Sequence, residues 1–192
     1  MSQEILPLFP LHAVLVPGGT LEARIFEPRY LDMVGRCMRR GGGFGVVMIR
    51  HGSEVGEVPE VVEVGCEARI VDWGRTPDGL LSLRVEGARR FRVLESDVEA
   101  DRLLVAQVCW LEEPPVTELS PRHLGLVGIL QQLLRERGGE EVAPRFHDAS
   151  WVSWRLSELL PLSLEQRQAL LSMPGPSERL AWLESVLSEM GR

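Results

Sequence analysis

The side chains in this chain with intrinsic reactivity are few and far apart. Four histidines, His12, His51, His123 and His147, are scattered, and no HExxH segment occurs. Cys37, Cys66 and Cys109 lie far apart with no CxxC spacing, so no group of about four closely organised zinc ligands is spelled out. There is no G-x-S-x-G elbow. His147, Asp148 and Ser150 supply the residue types of a catalytic triad. Triads assemble from distant segments, however, so adjacency in sequence carries no weight. Cys37 falls on an apolar helical face and Cys66 and Cys109 on strands, positions of buried, inert thiols rather than activated ones. A hydrolase of unrecognised type, with an acidic or Cys nucleophile, stays open as an alternative; the reading adopted is that the chain is not an enzyme.

A composition-wide absence closes several mechanisms at once. All 21 basic residues are Arg, and Lys is missing. A Walker A loop needs a Lys on its phosphates, a Ser–Lys dyad a Lys base, and Schiff-base chemistry a Lys amine. Asn is missing too, which fits a GC-rich genome. Neither a cofactor nor a metal is expected. The formal net charge is −7. It divides as 13 Arg against 18 acids in residues 1–116 and 8 Arg against 10 acids in residues 117–192. Neither half offers a broad phosphate-binding surface. The three unpaired-looking thiols and the lack of a basic, apolar leader place the protein in a reducing cytoplasm, away from membranes.

Binding chemistry leaves more candidates. Arg84, Arg89, Arg90 and Arg92 are close in sequence, and Arg84, Arg90 and Arg92 share strand parity. That is the makings of an RNA-binding patch, but Glu86 and Glu95 interrupt it and few aromatics are interleaved for base stacking. Gly41-Gly42-Gly43-Phe44-Gly45 follows a helix and precedes a strand, the reverse of a phosphate loop, so it reads as a helix stop and turn. In Ile25 to Tyr30, Glu27 sits just before a helix whose first position is Pro28, where a carboxylate can cap free N–H groups. Arg29 is then expected to be exposed, with Tyr30 packed or available to a partner.

These residues are positioned by elements that the patterning predicts. Ile5 to Phe9 opens a strand, Pro17-Gly18-Gly19 turns, and Thr20 to Phe26 alternates as a second strand. A helix follows from Pro28 to Gly41, with Tyr30, Leu31, Val34, Cys37 and Met38 inward and Arg29, Asp32, Arg36 and Arg40 outward. Phe44 to Ile49 is a buried strand. Two long hairpins come next, the first turning at Thr76-Pro77-Asp78-Gly79 with Trp73 near its tip. Gly87 interrupts its second strand as a bulge or bend, and such strands suggest a sheet curling towards a barrel. Beyond Glu112 to Pro115 the pattern is helical. Ser120 caps a helix that Gly138-Gly139 ends, Asp148 or Ser150 starts another, and Ser163 with Gln166 makes a capping box. The last helix places Leu180, Leu183, Leu187 and Met190 on one face. The fold class is α+β, with a β-rich region at 1–116 and a helical bundle at 117–192.

Several segments, in order and at matching spacing, resemble the substrate-binding N-terminal domain of Lon proteases. They are Leu6-Pro7-Leu8-Phe9-Pro10-Leu11, Val16-Pro17-Gly18-Gly19, Ile25-Phe26-Glu27-Pro28-Arg29-Tyr30, Gly65-Cys66-Glu67-Ala68, Glu86 to Val93, and Leu159-Leu160-Pro161-Leu162 through Arg179-Leu180. The resemblance implies a PUA-like pseudo-barrel followed by a helical bundle, in a chain without the ATPase and protease that follow this domain in Lon. It also implies a polypeptide partner, an unfolded client or a dedicated protein, bound by affinity alone. The surface between the two regions and the edge strands of the barrel are the expected sites. Candidate partner-binding residues are Arg29, Tyr30 and Trp73; Glu27, Pro28 and Gly87 are read as structural.

Overall fold

The structure is a computed structural model, and it describes residues 3–114, 116–137 and 143–190. Pro115, the Gly138-Gly139 helix stop and the side chain of Met190 lie outside the described residues. The chain divides into two compact units, Met1–Glu112 and Glu113–Arg192.

The first unit holds seven strands among the described residues: β1 (Gln3–Leu11), β2 (Thr20–Ile25), β3 (Phe44–His51), β4 (Glu60–Val61), β5 (Val64–Arg75), β6 (Leu81–Val98) and β7 (Leu104–Leu111). One helix, α1 (Pro28–Arg40), joins β2 to β3. The strands run in the order β1-β7-β6-β5-β3-β4, and β1 also pairs with β3, so five strands close into a ring. The closing pair is parallel, Leu8 to Gly45 through Leu11 to Met48. A parallel pair needs a long crossover, which β2 and α1 supply. Leu8, Val47, Phe91, Ala106 and Val108 fill the inside. The expected curled sheet is therefore a barrel.

Gly87 shows why the curl is possible. Its N–H donates to the Gly19 carbonyl at 2.9 Å, and its carbonyl accepts from the Gly18 N–H at 2.7 Å. The turn at Pro17-Gly18-Gly19 thus lies directly on the strand, and a Cβ on Gly87 would sit 2.1 Å from the Val16 carbonyl oxygen. Immediately after Gly87 the pairing shifts: Ala68 faces Gly87 while Cys66 faces Arg90, so β6 spends one residue more than β5. That extra residue is the bulge that bends the long strand.

The first helix differs from expectation on one face. Its buried residues are Arg29, Tyr30, Met33, Val34 and Cys37, while Leu31 and Met38 are exposed. Gly41 ends it in the left-handed region at φ 67°, its N–H returning to the Cys37 carbonyl.

The second unit contains α2 (Leu124–Glu136), α3 (Ala149–Leu159), α4 (Leu164–Ser172) and α5 (Pro176–Met190). Ser120 makes no side-chain cap; Pro121–His123 form a single 3-10 turn that leads into α2, so that helix starts later than the Ser-Pro signal suggests. Asp148 caps α3, accepting from the N–H groups of Ser150 and Trp151. The Ser163 and Gln166 capping box is complete. Leu130, Val152, Leu156, Leu170, Leu180 and Leu183 form the core of this unit. Nine of the eleven residues of α3 are buried, so its polar side chains must find partners internally. Ser153 and Ser157 do so by donating to the Ser150 and Trp154 carbonyls at 2.9 and 2.8 Å.

Candidate functional site

The junction at Glu27 to Tyr30 is a closed electrostatic unit. Glu27 occupies the N-cap position with extended backbone, yet its side chain makes no cap hydrogen bond. The carboxylate pairs instead with Arg29, 2.9 Å from Nη2, close but not aligned as a hydrogen bond. Arg29 is buried, against the expectation that it is exposed. Its Nη1 donates to the Arg102 carbonyl at 3.1 Å, and its guanidinium lies 4.7 Å from the centre of the Tyr30 ring. Arg102 is the one non-glycine described residue at positive φ, so the buried guanidinium holds the carbonyl of a strained turn between β6 and β7. Tyr30 is buried edge-on against Phe9, centroids 4.7 Å apart. Burial raises its phenol above the ordinary value, with the Arg29 charge opposing. Neither Arg29 nor Tyr30 presents a free side-chain surface. Tyr30 lines only a small pocket of about 350 Å³ beside Phe26 and Val55.

Trp73 is placed differently. It is 60% exposed and stands on the rim of an open groove of about 1200 Å³ in the first unit, with Ile5, Met38, Arg40, Arg69 and Val71 also on its walls. A second shift in the β5–β6 ladder sets the face it occupies. Ile70 faces Val85 and Asp72 faces Arg84, so Val71 is the extra residue and Trp73 comes opposite Leu83. Directly opposed residues share a face, and Leu83 is fully buried. Without the bulge Trp73 would fall opposite Ser82, on the face that carries Glu22, Arg84 and Asp72. Strict alternation would put Arg69, Val71 and Trp73 on one face; the ladder shift moves Trp73 off the face of Arg69. Ile5 is 73% exposed and Met38 44%, and neither was singled out from sequence, because Ile5 opens an apolar strand and Met38 belongs to the face of α1 expected to point inward.

The other candidates do not assemble. Arg90 is buried, and the bulge after Gly87 puts it and Arg92 on the face opposite to that of Arg84, so the parity that joined all three fails. Arg89 donates to both oxygens of Glu67, at 2.9 and 3.4 Å, and stacks 3.7 Å above Trp110. Arg92 pairs with Glu63 at 3.5 Å. All three cysteines are buried. Burial pushes the Cys37 thiol above its ordinary value and the Cys66 thiol far above it. Among the described residues no group of His, Cys, Asp and Glu could hold a metal ion. Ser150 directs its hydroxyl to Glu113 rather than to an imidazole.

That Glu113 contact belongs to a network that sequence reading missed. Arg179 is fully buried in the second unit. It donates to Ser153 and Ser150 at 2.9 Å each, pairs with Glu113, and lies 3.7 Å above the Trp154 ring. Trp154 Nε1 adds a bond to the same Glu113 oxygen at 3.2 Å. The carboxylate neutralises the buried cation, and the two hydroxyls accept from its Nε and Nη2. The arrangement is structural: every donor is turned inward.

A strand barrel followed in sequence by a helical unit is an architecture found in one known class of domain. Residues 5–189 match the ATP-dependent protease La (LON) substrate-binding domain, and the chain belongs to that family. It is similar to the Lon N-terminal domain protein from Xanthomonas campestris, with 43% identity, a TM-score of 0.80, and coverage of 95% of this chain and 98% of that one. The N-terminal domain of the Mycobacterium avium complex Lon protease shares the fold at 18% identity and a TM-score of 0.67, covering 94% of this chain and 96% of that one. The Lon protease of Cytophaga hutchinsonii is 23% identical over 96% of this chain but only 24% of its own length. The chain thus spans about a quarter of that full-length relative. Among the described residues no helix is long and apolar enough to cross a membrane.

Proposed function

We propose that this chain is a polypeptide-binding module that acts by affinity alone, as an adaptor, a holdase or a regulator, and that its contact surface is the groove rimmed by Trp73. The carrying observation is the exposure of Trp73 beside Ile5, Met38 and Val71 on one concavity. Large apolar side chains gathered on a concave surface bind apolar segments, and Trp is the residue type that most often dominates such contacts. Membership in a family of substrate-binding domains supports the same ligand class.

The test uses reduced, carboxymethylated α-lactalbumin as a permanently unfolded client, with binding followed by fluorescence anisotropy. Trp73→Ala is expected to weaken binding about tenfold, the loss typical of a contact hot spot. Its thermal midpoint should stay near that of the parent, because the side chain is exposed. Equal affinity of parent and variant removes the groove from the function, and no binding by either overturns the reading.

A further inference from the structure

Resting on the polypeptide reading, we infer that the ligand is taken as an added β-strand along the free edge of β5, Arg69–Arg75, and that the segment it fits carries acidic residues at its two ends with apolar residues between. The pairing pattern carries this. β5 pairs with β3 only at Cys66, Glu67 and Ala68. From Arg69 to Arg75 it pairs with β6 on one side, and no described strand pairs on the other. A strand edge of this kind offers a row of main-chain donors and acceptors, and the ligand that matches such a row is an extended main chain. Of the residues on this edge, Arg69, Ile70, Val71 and Trp73 line the groove. The Trp73 N–H is held by the neighbouring Asp72 carboxylate at 2.9 Å, a local bond that an incoming carbonyl can replace.

Two features choose the occupant. The other strand end on the groove, Gln3–Pro7 of β1, pairs only with β7, but Pro7 lacks an N–H and blunts that edge. The β5 edge has no Pro, and its extra residue at Val71 bends the edge without removing an N–H. Its ends are Arg69 and Arg75, so a second copy of this chain pairing antiparallel about Asp72 would bring each Arg opposite the other's like charge. Such a match is unfavourable, and a net charge of −7 adds to the repulsion between copies. A foreign segment with carboxylates at those two places turns the same charges into attraction. Arg69 is held only loosely by its acids: it lies 3.8 Å from Glu67, which Arg89 already grips at 2.9 Å, and its cross-strand neighbour is Glu86. Across the groove walls four Arg (36, 40, 69 and 89) face three Glu (4, 67 and 99), a local reversal of the chain's acid excess.

The probe is the labelled heptapeptide acetyl-Glu-Thr-Val-Thr-Val-Thr-Glu-amide, compared with two N-methylated forms that block alternate sets of amides. A strand uses alternate N–H groups on each side. One methylated form is therefore expected to bind at least about tenfold more weakly than the parent peptide, while the other stays within about twofold, and Arg69→Glu should shift preference to the Lys-ended analogue. Both forms behaving alike overturns strand addition. If the unfolded client binds through Trp73 while the heptapeptide does not, strand addition of this segment fails and polypeptide binding stands. If neither binds, the polypeptide reading itself fails.

Discussion

At the scale of single residues, several conspicuous titratable types are engaged by the structure itself. Glu27, Pro28, Arg29 and Tyr30 are conspicuous in sequence because they satisfy one another: the carboxylate neutralises a guanidinium that is packed on a ring and tied to a turn carbonyl. Tyr30, Cys37 and Cys66 hold their protons more tightly on folding, and they share burial as the main cause. Their linkage has one sign. Where a folded-state value is raised, the unfolded chain releases its proton first, so stability falls as pH rises. The urea midpoint is expected to be insensitive to these groups below the ordinary thiol value of 9.0 and to decline above it, further past the ordinary phenol value of 10.0. Equilibrium unfolding from pH 7 upward checks this, and Cys66→Ala should flatten the first part of the decline.

At the scale of elements, turns and caps were legible because they rest on local chemistry. The Thr76 to Gly79 turn closes with the Gly79 N–H on the Thr76 carbonyl at 2.8 Å and Gly79 at φ 84°. The Ser163 capping box is local in the same way. What sequence could not supply were the ladder shifts, because a bulge is set by what lies across the sheet. Three interrupt β5 and β6: one follows Gly87, one falls at Val71 and one at Leu94. Each transfers the residues beyond it to a different face from the one strict alternation assigns. Arg90 was misplaced for this reason. Arg179 was missed for a related one, since its partners Glu113, Ser150 and Ser153 are brought to it only by packing in the second unit. Gly87 tests the importance of close backbone approach. Gly87→Ala places a methyl where the Val16 carbonyl stands, and overpacking of this kind is expected to cost about 3 kcal/mol. Urea unfolding reads the loss, and a cost under about 0.5 kcal/mol, the usual range for surface changes, would show that the turn moves freely.

At the scale of the whole molecule, charge and groove agree. A net charge of −7 repels polyanions on average over the surface. Of the four Arg residues once grouped as an RNA patch, one is buried and two are engaged with acids. Filter binding to a mixed-sequence RNA should accordingly give only weak retention at low salt, vanishing with added salt and unchanged by Arg92→Ala. Tight retention that falls steeply with salt and depends on Arg92 would favour the RNA-binding alternative.

The extra residue at Val71 has a consequence for how relatives are compared. Which face a tryptophan occupies on this hairpin depends on the count of residues before it as much as on its identity. A relative with Trp in the matching column but one residue fewer between Ala68 and the turn would present that ring to the charged side. Another with a different residue in the column and a compensating insertion could rebuild the same rim. Inheritance of the groove therefore travels through insertions and deletions. An alignment that scores columns and treats gaps in this hairpin as noise will group chains that have the rim with chains that lack it.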